Sequence, residues 1–76
     1  MNKQRRMSIR EAMDGLNVIK EDLESILDEE QEAYDNLPES IQDSDRGEAM
    51  SDGLYNLESA ISSLEEATNA LEEAIQ

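Results

Sequence analysis

Residues 50–75, MSDGLYNLESAISSLEEATNALEEAI, decide the fold. Met50, Leu54, Leu57, Ile61, Leu64, Thr68, Leu71 and Ile75 recur in steps of four and three, the seam of an amphipathic helix that packs along its length. Ala60, Ala67 and Ala74 run beside that seam at heptad spacing, and small residues there let a neighbouring helix come close. Asp45 followed three residues later by Glu48 predicts the cap of this helix. Gly47 and Gly53 weaken its first turns, so fraying to about residue 50 is expected.

Toward the N-terminus a second pattern runs through Ile9, Ala12, Leu16, Ile19, Leu23, Ile26, Glu30, Ala33 and Leu37, interrupted only at Glu30. Met13 and Leu27 widen its stripe on one side. Ser8 and Glu11 have the spacing of a capping box, with Met7 placed to pack on Ala12 as a hydrophobic staple. Gly15 sits inside this helix at a cost of about 1 kcal/mol against alanine. Asn36 and Pro38 end it, because the residue before a proline is pushed out of the α region. Pro38 can then open one short turn of helix, residues 38–42. The expected layout is helix 1 over about 8–36, a loop over 37–45 and helix 2 over about 46–75. Two helices of roughly 42–45 Å joined by a short loop make an antiparallel hairpin. The fold class is therefore all-α, a single two-helix domain. One hairpin leaves part of each apolar stripe uncovered, so a homodimer forming a four-helix bundle is expected.

The charge of this small chain is unevenly divided. Residues 1–20 hold Lys3, Arg5, Arg6, Arg10 and Lys20 against Glu11 and Asp14, a balance of +3. Residues 21–76 hold 18 acids against Arg46 alone, a balance of −17, and the two parts give the net −14. Such a block repels itself in any compact state and attracts basic partners. With no cysteine and no histidine, the chain lacks thiolate chemistry, disulfides, the usual general base and the commonest transition-metal ligands. Tyr34 and Tyr55 are the only aromatic residues, so base stacking is not its trade. Phosphate contacts need Lys and Arg, which argues against direct nucleic-acid binding. No apolar run approaches a membrane span, and the basic start MNKQRRMSIR has no hydrophobic region of a secretory signal. A cytoplasmic, non-membrane protein is the simplest expectation.

Catalysis has little to stand on. No serine or tyrosine has a base placed beside it by any motif, so no enzyme, catalytic residue or cofactor is expected. Asp43, Asp45 and Glu48 near Gly47 resemble a calcium loop, but the EF-hand register requires glycine at 48 and glutamate at 54, where this chain has Glu48 and Leu54. A di-metal carboxylate bundle requires Glu-x-x-His, which a chain without histidine cannot supply. The basic N-terminus opposes the helix macrodipole and reads best as a contact with the acidic body of a neighbouring copy.

The acids themselves are the remaining signal. Glu21, Glu24, Asp28, Glu32 and Asp35 step by three and four along helix 1, and Glu58, Glu65 and Glu72 recur every seven residues on helix 2. The ordinary reading is a solvated helix face. Ordinary faces, however, mix Glu with Lys for a few tenths of a kcal/mol per pair, and residues 21–76 contain no lysine. Carboxylates three or four residues apart stand about 5–6 Å apart, a spacing comparable to that of phosphates along a DNA strand.

The stretch 28–47, DEEQEAYDNLPESIQDSDRG, followed by repeated LEEA-like units, resembles small acidic proteins encoded in phages and prophages of low-GC Gram-positive bacteria. The resemblance covers nearly the whole chain, and the loop NLPESIQDSDRG is its distinctive part. Phages make acidic DNA mimics that block restriction enzymes, CRISPR effectors and uracil-DNA glycosylase. The known glycosylase inhibitors lay a Glu-Ser-Ile segment against the enzyme's DNA-binding groove, on a sheet protein rather than a helical one. This chain has Glu24-Ser25-Ile26 in helix 1, with Ile26 on the expected seam, and Glu39-Ser40-Ile41 in the loop. The resemblance implies an inhibitor that binds a basic, DNA-handling host protein. Glu21, Glu24, Asp28, Glu32, Asp35, Glu39, Asp43 and Asp45 would stand in for phosphates, and Leu37 or Ile41 would be the apolar anchor. Leu16, Ile19, Leu23, Ile26, Leu54, Leu57, Ile61, Leu64 and Leu71 are the expected packing or dimer seam. The alternative is a structural or adaptor protein acting through those seams, with the acids only keeping it soluble.

Overall fold

A computed structural model describes residues 1–76 and contains three helices and no strands: α1 (Lys3–Asp35), α2 (Glu39–Gln42) and α3 (Asp45–Ala74). The all-α expectation holds. Helices α1 and α3 pack against each other as an antiparallel hairpin, and α2 closes the turn against α3. The result is a rod of 58 × 15 × 12 Å with a radius of gyration of 17.2 Å. A globular chain of this length would have a radius of about 11 Å.

The helix ends differ from the sequence reading. Helix α1 begins at Lys3, five residues before the expected start, because the Asn2 side chain accepts the Arg5 backbone N–H at 2.8 Å. An Asx cap satisfies one of the orphan donors of the first turn. Ser8 therefore lies inside the helix, where its hydroxyl donates to the Gln4 carbonyl at 3.2 Å instead of capping. Helix α3 is capped by Ser44 rather than by Asp45: Ser44 Oγ accepts the Gly47 N–H at 3.4 Å and donates to the Ile41 carbonyl. Asp45 and Glu48 instead lie in the first turn, where carboxylates complement the positive end of the helix dipole.

The turn contains the expected short helix and has a single packing device. Pro38 precedes Glu39–Gln42, and its carbonyl accepts the N–H groups of Ile41 and Gln42 at 2.9 and 3.0 Å. Gln42 Nε2 donates to the Tyr34 carbonyl at 2.9 Å, which also accepts the Leu37 N–H at 3.1 Å, and so ties the turn to the C-terminal end of α1. Gly47 is buried where α2 meets α3, and a Cβ there would collide with the carbonyl oxygens of Ile41 and Gln42. The glycine at 47 is thus a close-approach residue and not merely a weak helix former.

Packing between the long helices is thin. Only Met13, Leu54 and Ile61 among the hydrophobic residues are buried. Ile9, Leu16, Lys20, Leu23, Leu27, Gln31 and Tyr34 of α1, and Met50, Leu57, Leu64, Thr68, Leu71 and Ile75 of α3, are half-buried. Taken in opposite directions these two series match from Ile9 with Ile75 to Tyr34 with Met50.

The expected seam of α3 is the observed one, but that of α1 is corrected. Ile19 and Ile26 are each 49 % exposed, and Ala12, Glu30 and Ala33 are exposed as well. Met13, Lys20, Leu27, Gln31 and Tyr34 take the places next to α3. Two overlapping lines share Ile9, Leu16 and Leu23, and bulk and charge decide between them. The observed line covers Met13, Leu27 and Tyr34 together with Lys20 and Gln31 and leaves the Glu30 carboxylate in water; the expected line would have buried that charge along with Ala12, Ile19, Ile26 and Ala33. Lys20 is tolerated because its stem lies along the seam while its ammonium reaches solvent and carboxylates.

Candidate functional site: an acidic face and an apolar face

The corrected seam gives the rod two unlike sides. Residues directly after a seam residue lie about 100° to one side of it, and residues directly before it lie about 100° to the other. In an antiparallel pair, the "before" positions of both helices share one broad face and the "after" positions share the opposite one. The sixteen seam residues are Ile9, Met13, Leu16, Lys20, Leu23, Leu27, Gln31, Tyr34, Met50, Leu54, Leu57, Ile61, Leu64, Thr68, Leu71 and Ile75. Nine of the sixteen residues that follow them are acidic: Asp14, Glu21, Glu24, Asp28, Glu32, Asp35, Glu58, Glu65 and Glu72. Only two of the sixteen that precede them are, Asp22 and Glu30.

The salt bridges report the same sidedness. Lys20 Nζ lies 3.9 Å from Glu24 Oε1 on its own helix and 3.6 Å from Glu65 Oε1 on α3. One ammonium can reach both only if Glu24 and Glu65 flank the seam on the same side. Lys20 is also the only base paired with a carboxylate anywhere in the protein. The acidic face is otherwise uncompensated, and all its carboxylates are exposed.

Five of the sequence-predicted acids, Glu21, Glu24, Asp28, Glu32 and Asp35, thus form one continuous row within roughly an 80° arc of α1. Gln31 Nε2 donates to Asp35 Oδ1 at 3.0 Å and fixes the end of the row. Glu58, Glu65 and Glu72 join the row from α3. Their heptad spacing was visible in the sequence; their side of the rod depended on the packing register. Glu39, Asp43 and Asp45 are exposed but lie in the turn, apart from the row. Glu39 and Asp45 occupy the first turns of α2 and α3, where they stabilise the helix starts.

The two expected apolar anchors are not presented freely. Leu37 and Ile41 are half-buried, and Ile41 belongs to α2, where its carbonyl accepts the Ser44 hydroxyl. The segment Glu39-Ser40-Ile41 is accordingly helical, with Glu39 and Ser40 exposed. In the other copy of the tripeptide it is Ile26 that is exposed, the reverse of the expected placement.

The opposite face is apolar. Ala12, Ile19, Ile26 and Ala33 each precede a seam residue of α1, and Gly53, Ala60, Ala67 and Ala74 do so on α3; all eight are exposed. The surface has one recess, an open dent beside Ile26, Glu29 and Glu30 at the border of this face. No group of three or more His, Cys, Asp or Glu side chains converges into a metal site, and no helix is long and apolar enough to cross a membrane. The chain matches no protein-family model, no curated protein and no solved structure.

Proposed function

We propose that this protein is a DNA-mimicking inhibitor, an acidic helical hairpin that dimerises into a four-helix bundle and occupies the basic DNA-binding groove of a host DNA repair or defence enzyme. Uracil-DNA glycosylase and restriction or CRISPR nucleases are the candidate targets. The observation that carries the reading is the one-sided acid row. Glu21 to Asp35 places five carboxylates along about 21 Å of helix axis, one step per roughly 5 Å. A single DNA strand carries one phosphate per about 3.4 Å. The row is rigid, because it stands on helix rather than loop, so little ordering is needed when a groove closes on it. Charge of this density steers a basic partner into fast, salt-sensitive encounter. The target is a cytoplasmic enzyme of the host bacterium, and no nucleic acid is bound directly.

The test is capture from a host lysate on immobilised protein at low and high salt, then assay of the retained enzyme. Replacing Glu21, Glu24, Asp28, Glu32 and Asp35 together by Gln or Asn should abolish capture and inhibition while circular dichroism still shows the helices. Capture that survives both neutralisation and high salt would sink mimicry. It would favour the second reading, a non-catalytic adaptor acting through apolar surface, for which the half-exposed Ile19 and Ile26 are the specific support.

A further inference from the structure

The surface left on the rod, the symmetry of its apolar face and the charge pattern together specify what covers that face. We propose that it pairs with the same face of a second copy in antiparallel order, the turn of one hairpin lying against the chain ends of the other. This rests on the dimeric hairpin of the reading above and adds which face pairs and in which direction.

Area comes first. The hairpin exposes 5614 Å². A globular monomer of 8.6 kDa exposes about 4,700 Å². The elongated shape thus leaves the whole rod roughly 900 Å² more surface than a compact monomer, enough to supply the about 800 Å² that each partner of a standard stable interface buries. The face is also where two chains of net charge −14 can approach, since only Asp22 and Glu30 among its positions are acidic.

Symmetry comes second. A two-fold interface uses the same patch on both copies, so the patch must complement itself. Along α1 the stripe reads Ala12, Ile19, Ile26, Ala33, which is the same in both directions about a centre between residues 22 and 23. A perpendicular two-fold there sets Ile19 against Ile26 and Ala12 against Ala33 of the second copy. The α3 stripe has its own centre between Ala60 and Ala67. Matching Lys20 with Leu64 and Leu23 with Ile61 puts that centre within two residues of the first, about 3 Å along the axis. Both helices therefore accept one and the same two-fold.

Charge decides the direction. Lys3, Arg5, Arg6 and Arg10 crowd one end of the rod, which they share with Glu72 and Glu73 of α3, while Glu39, Asp43 and Asp45 crowd the turn against Arg46 alone. A parallel dimer would put the two basic ends together and the two acidic turns together. The antiparallel dimer brings the end that carries Arg5 level with the acidic turn of the second copy. It also leaves the two acidic faces pointing outward on opposite sides.

Light scattering on purified protein should give twice 8.6 kDa. Ile19→Asp with Ile26→Asp should return the mass to one chain with helicity kept. If that variant unfolds, cross-linking decides independently. The chain has no cysteine, so Ala12→Cys and Ala33→Cys variants can be made singly and mixed under oxidation. Antiparallel pairing predicts the mixed disulfide in roughly tenfold or greater excess over either homodisulfide, since only opposed sulfurs share a high effective concentration. Homodisulfides in excess, or a mass of one chain at every concentration, would overturn the proposal; the latter would leave the face to a foreign helix or surface. These measurements use the protein alone. Their failure leaves the acid-row reading standing, and loss of enzyme capture leaves the dimer standing.

Discussion

Lys20 of α1 reaches Glu65 of α3 at 3.6 Å, and it is the one ion pair that joins the two long helices. The lysine sits on the seam with its side chain 27 % exposed, while Glu65 is half exposed. An exposed pair of this kind contributes at most about 1 kcal/mol. Its greater effect is on register, since it is satisfied only when residues 20 and 65 are at one height.

Reversing that charge separates the two contributions. Lys20→Glu places a fourth carboxylate among Glu21, Glu24 and Glu65 and sets part of it against the seam. We expect a loss of roughly 2 kcal/mol in urea unfolding. Adding Glu65→Lys should recover about 1 kcal/mol. A double variant no more stable than Lys20→Glu alone would show that the cross-helix pair does not matter.

Salt should stabilise this protein. Eighteen acids face one base beyond residue 20, and raising ionic strength from 0.1 to 1 M shortens the screening length from about 10 Å to about 3 Å. Relief of roughly 1 kcal/mol would raise the melting temperature by about 4–8 °C, read by circular dichroism at fixed chain concentration. A melting temperature that falls with added sodium chloride would contradict a repelling acid row.

The acid row should also trade stability for binding. Asp28 stands four residues from both Glu24 and Glu32. Asp28→Lys turns two like-charge pairs into two opposite ones, a gain of about 1 kcal/mol on thermal or urea unfolding. The same variant should lose capture of the basic target. Gained stability with undiminished binding would remove Asp28 from the site.

The turn provides a test of packing. Alanine in place of glycine inside a helix normally gains about 1 kcal/mol. At Gly47 the added methyl meets two backbone carbonyls that cannot swing aside. Gly47→Ala should therefore lose roughly 2 kcal/mol or more, and Ser44→Ala about 1 kcal/mol through loss of the cap. Equal or higher stability of Gly47→Ala in urea would mean that α2 does not hold its place against α3.

Several elements were legible from residues alone because they depend on local chemistry. Steps of three and four from Met50 to Ile75 can be met only by a helix with one apolar side. Asn36 and Pro38 stop a helix through backbone sterics. The short helix after Pro38 follows from its fixed φ. The start of α1 lies at Asn2 rather than at Ser8 because both are competent caps, and the earlier one adds more helix. Ser44 against Asp45 was the same ambiguity one residue apart.

The sequence by itself determined two long helices, their antiparallel order, the division of charge and the acid row of α1, because periodicity and i, i+4 spacing are properties of a single helix. Tertiary structure alone decided which of two overlapping lines on α1 packs against α3. That choice turns on the bulk of Met13, Leu27 and Tyr34 and on keeping Glu30 in water, and it needs the neighbouring helix to act. From it follow the exposure of Ile19 and Ile26 and the union of Glu58, Glu65 and Glu72 with the row on α1. The separation of an acidic face from an apolar one follows as well, since a rotation of one residue about the seam would have mixed them.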